Sequence, residues 1–221
     1  MTELRPTPQR AKLTARKEQW AADGRQPTRR PANAVGGTRT PPGQHVVQTF
    51  PVLDLGHQPA IDHRDWSLRV GGHVRNPITW DWTQFERQRK VRRVSDIHCV
   101  TAWSRFDNRW EGMAFRDLLS VVEPLESARF VYFKSYDSYM TNLPLSHVLD
   151  DDILLATHWE GEPLTREHGG PVRIVLPKLY FWKSAKWIRQ IWFSDADSPG
   201  FWEARGYHPI GNPWQEERYG A

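Results

Sequence analysis

A chain of 221 residues and 25.8 kDa, 38% of it hydrophobic, is long enough for one sizeable core, and one domain is the simpler expectation. No run of about 18 apolar residues occurs, which argues against a transmembrane helix, and the charged start "MTELRPTPQRAKLTARKEQW" lacks the apolar core of a secretory signal. Residues 1–44 hold nine Lys and Arg against three Asp and Glu, so the net charge of +4 belongs to the tail and the remaining 177 residues sum to −2, which weakens a nucleic-acid-binding reading.

The segment 1–44, rich in Arg, Pro, Thr and Gly and without a sustained apolar period, reads as a basic tail that either wraps the domain or stays mobile. Its Arg29-Arg30 pair precedes "PANAVGG" rather than an apolar stretch, so export is not supported and a cytoplasmic protein is expected. A second segment, 45–221, reads as the folded domain. From "HVVQTFPVLDLG" onward, short strands are expected at Ser67 to Val70, Arg92 to Val100, Arg129 to Lys134, Ile153 to His158, Val172 to Leu176 and Trp187 to Phe193. Short helices are expected at Trp82 to Arg89, Phe115 to Val121 and Leu145 to Leu149. Strands dominate without regular βαβ alternation, so the expected class is a mixed, strand-dominated α+β fold. The aromatic C-terminal stretch "EARGYHPIGNPWQEERYGA" is expected to dock on the body. No P-loop, Rossmann glycine fingerprint or HExxH motif occurs.

The single cysteine, Cys99, excludes an internal disulfide and any metal site built from several thiolates of this chain. It is a buried small hydrophobe, a nucleophile or a one-thiolate metal ligand. Three later stretches bear on the choice. "KSYDSYMTNLP" (Lys134 to Pro144) reads as a strand, a turn and a second strand. "REHGGPVRIVLP" (Arg166 to Pro177) places Arg173 inside an apolar strand, where a guanidinium needs an anion or several hydrogen-bond acceptors. "YFWKSAKWIRQIWF" (Tyr180 to Phe193) groups Lys183, Ser184 and Lys186 around a turn whose free backbone N–H groups would suit a phosphate, although a solvated charge cluster would look the same.

Taken together and in this order, "DIHCVTAWSRFDNRWEGMAFRDLL", "HGGPVRIVLP" and "YFWKSAKWI" resemble the molybdopterin-binding domain of sulfite oxidase-like oxidoreductases. The resemblance runs from about Phe50 to Tyr219 and is closest to the short, stand-alone members. It implies that Cys99 is the protein thiolate on molybdenum, while the pterin dithiolene brings the other sulfur ligands. It also implies that Arg173, Ser184 and Lys186 contact the cofactor, with His168, Lys183 and Ser135 next and Trp103 and Ser104 along the same cleft. His98, Arg105, Arg109 and Tyr207 are candidates to orient substrate, though Arg109 could equally pair with Glu111 and Trp103 could equally be core.

The implied function is two-electron oxygen-atom transfer on a small sulfur- or nitrogen-centred substrate of the sulfite, sulfoxide or N-oxide type. The chain is too short for the haem and dimerisation domains of animal sulfite oxidases, so no haem is expected and electrons would pass to or from an external carrier. Two rivals belong to other classes: a non-catalytic module of the same fold holding the cofactor or a phosphorylated ligand, and a nucleic-acid binder using the basic tail.

Overall fold

The computed structural model describes residues 8–24 and 39–220; parts of the tail reading, residues 1–7 and 25–38, therefore lie outside the described residues. Among the described residues, eleven strands fall into two sheets, accompanied by three helices and several single 3-10 turns. This is the mixed, strand-dominated α+β fold expected.

The first sheet is built around the hairpin of β4 (Lys90–His98) and β5 (Trp103–Ala114), which pair antiparallel from Lys90↔Met113 to His98↔Ser104. β5 is twelve residues long and also pairs with β1 (His45–Val46) at one end and β8 (Leu154–Trp159) at the other. β8 in turn carries β9 (Glu162–Pro163) and β10 (Arg173–Val175). At the irregular step between Glu111 and Gly112 the strands approach so closely that a Cβ on Gly112 would lie 2.1 Å from the Leu155 carbonyl oxygen. Only glycine fits that crossing.

The second sheet runs in the order β3 (Ile78–Asp81), β2 (Ser67–Gly72), β11 (Ile188–Ser194), β6 (Phe130–Ser135), β7 (Met140–Pro144). Its central strands are rich in β-branched and aromatic residues. Val70, Val131, Phe133, Ile191 and Phe193 join Leu154, Leu155, Ile174 and Val175 of the first sheet in one buried core. Two helices close the ends of strands. α2 (Trp82–Glu86) starts in a capping box between Asp81 and Gln84, and α3 (Phe115–Val122) docks through Phe115, whose ring meets Phe133 edge-on at 5.7 Å.

The expected strands and the helices at 82 and 115 are present within a few residues, whereas Leu145–Val148 forms a 3-10 turn in place of a helix. Two elements depart from the sequence reading. β5 carries charged and polar residues on both faces and no clean alternation, so it hides in the sequence; its length comes from having three partner strands. The tail, read as lacking a helical period, holds α1 (Pro8–Ala22), whose amphipathic signal is weak because Arg10 and Lys17 face the body.

Candidate active site

Cys99 lies at the first position after β4, in the four-residue turn that leads into β5. The turn is closed by Cys99 N–H donating to the Trp103 carbonyl (2.8 Å) and Ala102 N–H to the Cys99 carbonyl (3.0 Å), with Ala102 at φ +73°. The thiol is largely buried, 3.1 Å from the Thr101 hydroxyl, and lines a cleft of about 930 Å³, open mouth included. Two long-range contacts grip the turn's carbonyls from behind: Gln44 Nε2 donates to Cys99 O (3.0 Å) and Arg218 Nη1 to Val100 O (2.5 Å).

His98, the last residue of β4, does not line the cleft, whereas Cys99 and Val100 do. His98 is buried beside Ser104, Nδ1 to Oγ 2.8 Å, and the Ser104 hydroxyl donates to Gln44 Oε1 at 3.3 Å. With that hydroxyl used as a donor, Nδ1 carries the imidazole proton. Burial lowers the His98 pKa to about 4, so the ring is neutral at physiological pH. His98 and Ser104 are thus not brought to the cleft; they form a buried chain that ends, through Gln44, on the Cys99 carbonyl.

The opposite wall is built from the Arg166–Pro177 and Tyr180–Trp187 stretches. Arg173 is fully enclosed. Its Nη1 donates to the His168 carbonyl and its Nη2 to the Ser184 carbonyl, both at 2.8 Å, and its guanidinium lies 4.3 Å over the Phe181 ring. Nε has no hydrogen-bond partner among the described residues. Burial pulls the Arg173 pKa down to about 9, still leaving it charged at neutral pH. Lys186 donates to the Glu167 carbonyl at 2.5 Å, and burial, then Arg173, pulls its pKa down to about 7. Gly169, at φ +103°, lets these two stretches touch: a Cβ there would lie 2.9 Å from the Lys186 Cβ.

Ser184 Oγ accepts from Leu176 N–H (2.9 Å), which leaves its own proton free to donate. Ser135 Oγ is buried in the cleft wall with no partner among the described residues. His168 Nε2 faces the Phe50 carbonyl (3.1 Å), an acceptor, so that nitrogen carries the proton and Nδ1 accepts from Thr165 (3.0 Å). The free backbone donors expected in the Lys183–Lys186 turn are not there. The N–H groups of Lys183, Ser184 and Ala185 already donate to the carbonyls of Tyr180, Phe181 and Lys183.

Of the residues singled out in the sequence, Cys99, Trp103, Ser135, His168, Arg173, Ser184, Lys186 and Tyr207 line one cleft. Three more are not brought there. Lys183 is wholly buried, with its ammonium 2.5 Å from Glu203 and 2.9 Å from the Asn142 carbonyl. Arg105 is held by Asn108, Glu160 and the Gln48 carbonyl over the Trp159 ring. Arg109 is exposed and pairs with Glu160 at 2.8 Å rather than with Glu111, which pairs with Arg92.

Several lining residues escaped the sequence reading. Phe50 and Asp54 come from the "QTFPVLDLG" stretch, Asp137 and Tyr139 from the β6–β7 turn, and Leu13 and Lys17 from α1. Burial raises the pKa of the Asp137 carboxyl and lowers that of the Lys17 ammonium. No local motif announces any of them; each reaches the cleft through long-range packing.

The chain is similar to known proteins. The sequence pattern of the family described as "Oxidoreductase molybdopterin binding domain" matches residues 55–202. The chain is 44% identical over 182 residues to the oxidoreductase YuiH of Bacillus subtilis, covering 82% of this chain and 92% of that one. It is 29% identical over 153 residues to the protein-methionine-sulfoxide reductase catalytic subunit MsrP of Ralstonia nicotianae, covering 62% of this chain and 46% of MsrP. This chain therefore spans less than half of that reductase. The solved sulfane dehydrogenase SoxCD of Paracoccus pantotrophus matches with a TM-score of 0.58 at 21% identity, covering 63% of this chain and 40% of that one, which is a likeness of fold. Because the matched pattern takes in well over half of its length, the chain belongs to the oxidoreductase molybdopterin-binding domain family.

Proposed function

We propose that the cleft holds a molybdenum–molybdopterin cofactor with Cys99 as the protein thiolate on the metal. On this reading the chain carries out two-electron oxygen-atom transfer on a small sulfur- or nitrogen-centred substrate and exchanges electrons with an external carrier. One observation carries it: the only thiol of the chain and the charged Arg173 line the same cleft, and every hydrogen-bond acceptor of Arg173 is a neutral carbonyl. A buried guanidinium so arranged favours an anionic ligand.

The donor set suits such a cofactor. Among the described residues no three His, Cys, Asp or Glu side chains converge, so a metal beside Cys99 would take most of its ligands from elsewhere. A dithiolene is the soft kind of donor that matches a thiolate. The partnerless Arg173 Nε and Ser135 Oγ, the free proton of Ser184 and the Lys186 ammonium are donors suited to the pterin and its phosphate. When bound, the cofactor supplies the two-electron redox change and the open coordination position.

The residues of this chain do the rest. Gln44 and Arg218 hold the Cys99 turn, so the sulfur keeps one orientation. Trp202, Tyr207 and Trp103 limit water beside it. No described helix is long and apolar enough to cross a membrane, and a cytoplasmic setting is part of the proposal.

Elemental analysis of protein made in a molybdenum-replete host tests the reading, with tungsten measured in the same samples. Stoichiometric metal in the wild type and its loss in Cys99→Ser are expected. A folded, metal-free wild type would overturn the proposal.

A further inference from the structure

α1 lies outside the matched family pattern, yet it forms part of the cleft. It is anchored at both ends. Arg10 donates to the Asp137 carbonyl (3.2 Å) and lies 5.4 Å over the Phe201 ring, while Glu18 pairs with Arg205 at 2.8 Å. Between these anchors, one turn apart, Leu13 and Lys17 face the cleft.

Lys17 is only 9% exposed, whereas Lys12 and Arg16 of the same helix are at the surface. Its ammonium sits 5.8 Å from the rings of both Trp20 and Trp202. Aromatic faces offset part of the cost of burying a cation, but they do not replace an anion. The other two cations of the cleft, Arg173 and Lys186, donate to backbone carbonyls. No carboxylate among the described residues pairs with Lys17, and it lines the same cleft as the Cys99 thiol. A buried cation that lines the same cleft as the thiol, framed by tryptophan and unpaired with any carboxylate among the described residues, is arranged to receive a small anion from solvent.

We propose that α1 is a wall of the active site and that Lys17 is its substrate-recognising cation, selecting a small sulfur or nitrogen oxyanion over a neutral sulfoxide or N-oxide. This rests on the oxygen-transfer reading above and narrows its substrate class. The docked helix also contributes Leu13 to the cleft lining, one turn from the cation.

Inorganic sulfate, a redox-inert oxyanion, is the probe. Full-length wild type, Lys17→Met and Lys17→Arg, each with its molybdenum content measured, are titrated with sulfate at constant ionic strength and followed by calorimetry. Saturable binding is expected in the wild type. Lys17→Met is expected to weaken it roughly tenfold or more, the loss of one charge-assisted contact, and Lys17→Arg to restore most of it. With sulfite and dimethyl sulfoxide as substrates, Lys17→Met should raise KM for the anion and leave kcat/KM for the neutral compound nearly unchanged. Equal sulfate affinity in wild type and Lys17→Met, or no binding to the wild type, with molybdenum present in both, overturns the role of Lys17 alone. A metal-free wild type overturns the oxygen-transfer reading and this inference with it.

Discussion

Lys183 and Arg173 are both buried cations, but only Arg173 lines the cleft. Lys183 points toward the C-terminal region, where Glu203 answers it at 2.5 Å, and both side chains are almost entirely shielded from solvent. Arg173 lies against the cleft with carbonyls as its acceptors and one nitrogen partnerless. A buried cation with its own carboxylate is part of the fold. One surrounded by neutral dipoles, beside a second cation in Lys186, lowers the free energy of a bound anion instead. The motif "KSAK" therefore divides its labour: Lys183 fastens the loop to the body, while Ser184 and Lys186 face the cleft.

The sharpest way to break this comparison is to remove each cation in turn. Lys183→Met leaves the Glu203 carboxylate buried without its charge partner and is expected to cost about 3–5 kcal/mol of stability. Replacing both members, Lys183→Met with Glu203→Leu, should recover a large part of that loss, as measured by denaturant unfolding. Arg173→Met should behave differently. It strands two carbonyls, at roughly 1–3 kcal/mol each, but it also relieves a desolvated charge that carbonyls and rings, with no anion bound, compensate only in part. The net change in cofactor-free stability is expected to stay within about 2 kcal/mol, because these terms oppose one another. Cofactor retention should nevertheless be lost. A collapse of cofactor-free Arg173→Met as deep as that of Lys183→Met would show that Arg173 is a structural cation after all.

The cleft side of this division was legible in the sequence, whereas the structural role of Lys183 was not, since the sequence reading grouped it with the cofactor contacts. Cys99, Arg173, Ser184 and Lys186 stand in three short contiguous strings, and the resemblance those strings carry implied their grouping, which the shared cleft lining matches. The contacts of Lys183 could not be read this way: its carboxylate lies twenty residues on, in a 3-10 turn with no pattern of its own. Gln44 and Arg218 are likewise invisible from sequence, since they come from opposite ends of the domain to hold two consecutive carbonyls of one turn. The central strands announced themselves through β-branched and aromatic residues, but β5 did not, because its character follows from three neighbouring strands rather than from alternation. α1 failed the periodicity test because the face it buries includes Arg10 and Lys17, which no apolar count rewards.

The smallest expected effect concerns Lys186, the cation that shares the cleft with Arg173. Burial, with Arg173 adding to it, pulls its pKa from 10.5 down to about 7. Between those limits the unfolded chain keeps a proton that the folded protein has largely released. The unfolded state then binds more protons, so this group makes stability rise as pH increases from about 7 toward 10.5, and below pH 7 its full destabilising effect is present. Thermal unfolding of cofactor-free wild type and Lys186→Met should therefore differ most at and below neutral pH and converge toward pH 10. Binding a phosphate reverses the preference, because an anion beside Lys186 favours its protonated form. In cofactor-loaded protein the same pH range should instead weaken retention of the cofactor in the wild type, a dependence that Lys186→Met should lack. A pH-independent difference between the two proteins in both states would separate Lys186 from Arg173 and leave the guanidinium as the cleft's working charge on that wall.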